Sequence, residues 1–116
     1  MATPEKKVRQ KIRSILDSYG AYRFAPMSHG YAAGGTHDEI ACYKGRFISI
    51  EAKADATKKP TALQTRAARQ VVAAGGIVLL IHDENTQLLE QVLESIRSGY
   101  PPLSVWPGLW RPAGDN

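Results

Sequence analysis

Apolar residues recur along the chain at two alternating spacings. Val8, Ile12, Ile15, Leu16 and Tyr19 fall on one face at the period of a helix. Thr3, Pro4 and Glu5 suit its start, as a cap, a first-turn proline and an acid at the positive end of the helix dipole, and Gly20 suits its end. Residues 21–24 predict a short strand, and the stretch from Pro26 to Gly35, with its glycines, predicts a loop. Asp38 to Tyr43 and Arg46 to Lys53 then read as strands joined by Lys44-Gly45. A two-residue turn would set Tyr43 against Arg46, Ile40 against Ser49 and Asp38 against Glu51; a bulge would shift that register by one. Thr61 suits the cap of a second helix to about Ala74, with Leu63, Ala67, Val71 and Ala74 inward. Ile77 to Ile81 lacks alternation and predicts a buried strand at a covered interior position. Leu88, Leu89, Val92, Leu93 and Ile96 predict a third helix, ended by Gly99-Tyr100-Pro101-Pro102.

The order is α-β-β-β-α-β-α, an α/β chain with a mixed sheet flanked by helices. Its 116 residues suit one core, with residues 1–100 as a single domain and 101–116 as a tail whose Trp106 and Trp110 pack back or meet a partner. The longest apolar run, Ile77 to Ile81, is far short of the roughly 20 residues that span a bilayer, and no apolar segment follows the charged stretch 5–13 as a secretory signal requires. The single cysteine, Cys42, excludes an intrachain disulfide and a cysteine-rich zinc site; strand alternation predicts that it points inward. These features point to a soluble intracellular protein without membrane partners.

Charge divides unevenly. Residues 1–53 hold nine basic and five acidic side chains, and residues 54–116 hold six of each, so the net +4 lies in the first half. A basic half attracts polyanions, nucleic acid among them, and equally serves solubility. Within it, Glu51 and Lys53 lie two apart on a strand and share a face. The hairpin places Asp38 opposite Glu51, and like charges so placed repel unless a cation lies between them. Mg²⁺ takes one or two protein carboxylates and water; Mn²⁺ is an alternative. Lys53 would then stabilise charge on a phosphate. Glu5, on the apolar side of the first helix, is a candidate third ligand or simply an acid at a helix start. An exposed strand edge, with Glu51 and Lys53 solvated, fits the same spacing. Lys58, Lys59, Arg9, Lys11 and Arg23 are candidate phosphate contacts or solubilising charges, and Tyr31 is a candidate stacking platform or a packed ring.

The run Gly35-Thr36-His37-Asp38, followed by Glu51-Ala52-Lys53, resembles the signature of the PD-(D/E)XK nucleases. Within that superfamily the chain is most similar to the VRR-NUC family, whose elements are matched in order by Glu5, Gly35, Asp38, Glu51, Lys53 and Gln64 over roughly residues 5–96. His37 stands where that family usually has proline, which brings an imidazole beside the site and makes His37 a further candidate phosphate or metal contact. The resemblance implies a nuclease-like core and a metal-dependent endonuclease. Asp38 and Glu51 would hold the metal with Glu5 helping, and Lys53 and Gln64 would serve the active face. It also implies branched or four-way junction DNA as substrate, a homodimer, and a place in the cytoplasm of a bacterial or phage-infected cell. A non-catalytic DNA-binding or assembly protein on the same scaffold, and an RNA-processing or restriction-like nuclease, are the alternatives.

Overall fold

A computed structural model of the chain describes residues 2–27, 35–99, 109, 110 and 112. Its elements are α1 (Pro4–Ser18), β1 (Tyr22–Phe24), β2 (Glu39–Tyr43), β3 (Arg46–Ala52), α2 (Ala62–Ala73), β4 (Ile77–Ile81) and α3 (Gln87–Arg97), the order the sequence predicts. They form one four-stranded sheet, β1-β2-β3-β4, antiparallel except for the parallel β3–β4 pair. The anticipated helix start is present: Thr3 Oγ1 accepts from the Lys6 amide at 3.2 Å.

The hairpin register is the one set by a two-residue turn, with Tyr43 paired to Arg46 and Ile40 to Ser49. Lys44 and Gly45 have φ of 47° and 81°. Two successive positive φ values match the right-handed twist of the strands, so no bulge is needed. This parity divides the sheet. Ala41, Tyr43, Ile48, Ile50, Ala52, Ile77, Leu79 and Ile81 pack with the apolar faces of α1 and α3 in one core. The opposite face carries Asp38 and Glu51 toward α2.

Three expectations change. Cys42 is exposed rather than inward, because it alternates with the buried Ala41 and Tyr43. It pairs with Tyr22 and Phe47, themselves 70% and 45% exposed, on the outer sheet that α2 leaves open. In α2, Ala68 is buried while Leu63 and Ala74 face outward. The cap at Thr61 fixes the helix phase so that Gln64 turns inward, and Ala68 follows one turn later on the same face. Strand β4 is covered but is not interior in the hydrogen-bonded order: it is the terminal strand, packed against α2 and α3. Covered side chains remove alternation even in a strand at the end of the order among the described residues.

A buried ion pair fastens α1 to the sheet. Glu39, 2% exposed, accepts from Arg13 Nε of α1 at 3.0 Å and from Arg23 Nη1 of β1 at 3.3 Å. Arg13 is therefore engaged rather than freely solvated. Replacing both guanidiniums (Arg13→Met with Arg23→Met) should strand the carboxylate and cost about 3–5 kcal/mol of stability in urea unfolding, with most of it restored by adding Glu39→Leu.

Candidate active site

The end of the β2–β3 hairpin nearest α2 gathers the side chains of Asp38, Glu51, Lys53 and Gln64. Asp38 lies immediately before β2, and its Oδ2 accepts the backbone N–H of Ala52 at 2.9 Å. Glu51 lies near the end of β3 and is 3% exposed. Its Oε2 accepts from Gln64 Nε2 at 3.0 Å and lies 3.3 Å from Lys53 Nζ. Its Oε1 is buried without a hydrogen-bond partner among the described residues. Lys53 Nζ also donates to Gln64 Oε1 at 3.0 Å, and its backbone N–H donates to Ile81 O at 2.9 Å, tying the residue to β4.

Gln64 belongs to the cap and to the site together. Its backbone N–H donates to Thr61 Oγ1 at 3.1 Å, and its Oε1 accepts from Thr61 N–H at 2.9 Å. This reciprocal box satisfies amides that the first helical turn leaves open. The Gln64 side-chain Nε2 then donates to Glu51. Gly35 lets the preceding loop reach this turn. Its φ is 98°, and a Cβ there would collide with the Leu63 backbone and lie 2.7 Å from Gln64 N.

Burial, and then the neighbouring Asp38 charge, push Glu51 up from the usual carboxylate range to about 8; Lys53 only partly opposes them. Without a cation the ionised form of Glu51 is therefore disfavoured. A divalent cation between Asp38 and Glu51 would give the orphaned Oε1 a partner and remove the repulsion, so this donor set fits a hard metal. Glu5 lies in the first turn of α1. Its side chain makes no hydrogen bond or ion pair among the described residues, and no group of three or more acidic, histidine or cysteine residues is assembled for a metal among them. From α1, Arg9 Nη1 instead comes within 3.6 Å of Asp38 Oδ1.

The basic candidates separate. Lys11, Lys58 and Lys59 are exposed, whereas Arg23 is committed to Asp17 at 2.8 and 2.9 Å and to Glu39. His37, a candidate phosphate or metal contact, is 3% exposed with both ring nitrogens partnered, and burial holds its pKa below the ordinary value. Trp110 packs back, its ring 5.3 Å from that of His37. Tyr31 and Trp106 lie outside the described residues. The sequence reading missed Ser49, which is 2% exposed and within 2.6 Å of His37; its place beside Glu51 in strand alternation was the available signal.

No protein-family model and no curated protein matches the chain. A solved structure described as a VRR_NUC domain does match, with a TM-score of 0.64 and 22% identity, covering 85% of this chain and all of that one. The chain therefore has the fold of a VRR_NUC domain, as the motif order anticipated. Among the described residues no helix is long and apolar enough to cross a membrane.

The raised Glu51 pKa has a sign that can be measured. Its stabilising contribution is complete below about 4.5, the unfolded value, and is lost as pH rises through about 8. In metal-free buffer Glu51→Gln should therefore melt above the wild type at pH 8.5 to 9, with the gap closing toward pH 4.5. Differential scanning calorimetry across that range checks it. Convergence at the alkaline end instead would exclude a protonated Glu51.

Proposed function

We propose that the chain is a metal-dependent DNA endonuclease hydrolysing phosphodiester bonds, with Mg²⁺ as cofactor and Mn²⁺ as a substitute. The observation that carries this reading is the buried Glu51 Oε1, which accepts no hydrogen bond among the described residues and lies beside Asp38, with the Lys53 ammonium on the other oxygen of the same carboxylate. Asp38 and Glu51 would hold the ion, which supplies an activated water and offsets phosphate charge. Lys53, steadied by Gln64 Oε1 and Glu51 Oε2, presents a positive charge toward developing charge on the phosphate. Gln64 keeps the lysine and the glutamate in register. Arg9 neutralises Asp38 from the α1 side and is a second cation for the backbone of the substrate.

Branched DNA as substrate, and two copies acting together on a four-way junction, rest on the resemblance of Gly35, Asp38, Glu51, Lys53 and Gln64 to the VRR-NUC pattern. A single small domain would read junction shape through phosphate contacts and deformation rather than base sequence. A second reading, a DNA-binding module without cleavage, is favoured by one observation: no third carboxylate joins Asp38 and Glu51 among the described residues.

Purified protein should cut a four-way junction with Mg²⁺ and stop when chelator is added. Asp38→Asn, Glu51→Gln and Lys53→Ala should each lower turnover about 100-fold or more while the domain stays folded. Product gels with calorimetric folding controls decide the matter. Cutting in chelator, or full activity in the carboxylate variants, overturns the mechanism; tight binding without product under both metals selects the binding module.

Binding should also weaken steeply with salt. If Lys58 and Lys59 contact phosphates, Lys58→Ala with Lys59→Ala should reduce the slope of log affinity against log salt by about 1.8. Fluorescence anisotropy across a salt series measures this, and an unchanged slope removes the two lysines from the interface.

A further inference from the structure

His37 lies between the middle of the sheet and the first turn of α2. Its Nε2 is 2.9 Å from the backbone oxygen of Gln64, and its Nδ1 is 2.6 Å from Ser49 Oγ. A carbonyl only accepts, so Nε2 carries the proton. In the neutral ring Nδ1 is then the acceptor, and the Ser49 hydroxyl donates to it. Both partners sit where the active face is built. Ser49 is two residues before Glu51 on the same side of β3, and Gln64 is the side chain that holds Glu51 and Lys53 together.

The contact with Gln64 uses a backbone oxygen. Such an oxygen has two lone pairs, so it can receive His37 and still serve the helix. The loop carrying His37 is also seated on this turn, because Gly35 packs against the backbone of Leu63 and Gln64 too closely for any Cβ. Trp110 packs beside the imidazole at 5.3 Å between ring centres. Gln64 is thus fixed by Thr61 through the cap and by His37 through its backbone carbonyl, and its side-chain amide, which shares Oε1 with the cap, aligns the two charged residues.

We propose that His37 is a positioning residue: through its hydrogen bonds to Ser49 and the Gln64 carbonyl, it locks the first turn of α2 to β3 and so aims the Gln64 amide at Glu51 and Lys53. Its effect on cleavage rests on the nuclease reading above, but the alignment of Gln64 does not. His37→Leu fills space without hydrogen bonding. His37→Gln restores an N–H that reaches the Gln64 carbonyl. Ser49→Ala leaves the ring in place and removes its second tether.

The test pairs two readouts on the full chain. In ¹⁵N NMR of metal-free protein, His37 should show the Nε2–H tautomer. The Gln64 side-chain amide signals should move in His37→Leu, and return toward the wild-type position in His37→Gln. In cleavage assays with Mg²⁺, His37→Leu should lower kcat about 10–100-fold with KM nearly unchanged. His37→Gln should recover most of that loss, and Ser49→Ala should lie between. Gln64 signals that are the same in all variants overturn the proposal, as does a glutamine variant no better than the leucine one. Should His37→Leu fail to fold, the Ser49→Ala and His37→Gln comparison stands alone, and wild-type Gln64 signals and kcat in Ser49→Ala reject the tether. A wild type that cuts nothing ends the nuclease reading, while the NMR arm still decides the role of His37.

Discussion

The Ala52 N–H donated to the Asp38 carboxylate is the bond on which the site depends. It reaches from the end of β3 to the residue just ahead of β2, closing the hairpin at the end away from its turn. One oxygen of Asp38 is thereby held, and its charge is set beside Glu51. Everything else in the site answers that placement. Burial and Asp38 together make ionised Glu51 costly; Lys53 and Arg9 supply the compensating charge from opposite sides, one from the strand and one from α1.

This arrangement separates two kinds of carboxylate that are neighbours in sequence. Asp38 and Glu39 point to opposite faces, as strand alternation requires. Glu39 turns to the α1 face and is fully engaged by Arg13 and Arg23. Asp38 turns to the α2 face, where charge is left incompletely compensated around Glu51. A buried acid with two guanidiniums is structural support; a buried acid with a bare oxygen is available chemistry. The same backbone step assigns both roles.

Much of this was legible in the chain because it depended on local periodicity. The stripes Val8-Ile12-Ile15 and Leu89-Val92-Leu93 fix which sides of α1 and α3 are inward, and Lys44-Gly45 sets the register that brings Asp38 to Glu51. The misreadings share a cause. Alternation says that Cys42 and Ala41 face opposite ways, but not which face a helix will cover. For α2, apolar residues suggested Leu63 as inward, whereas the cap set the phase and turned the polar Gln64 in. His37 was read by its charge-bearing chemistry beside Asp38, although Ser49 and the Gln64 carbonyl, distant in sequence, occupy its ring. Pairings across 12 and 27 positions cannot be read from spacing.

Gln64 makes the start of α2 and the alignment of Lys53 a single mechanical unit. Helix ends fray more readily than helix middles. When this end opens, the amide leaves the lysine and glutamate at the same moment as it leaves Thr61. Order among Gln64, Lys53 and Glu51 is consequently a local equilibrium, able to melt before the sheet does. The Gly35–His37 strap across that turn is then a brake on fraying, built into the loop that delivers Asp38.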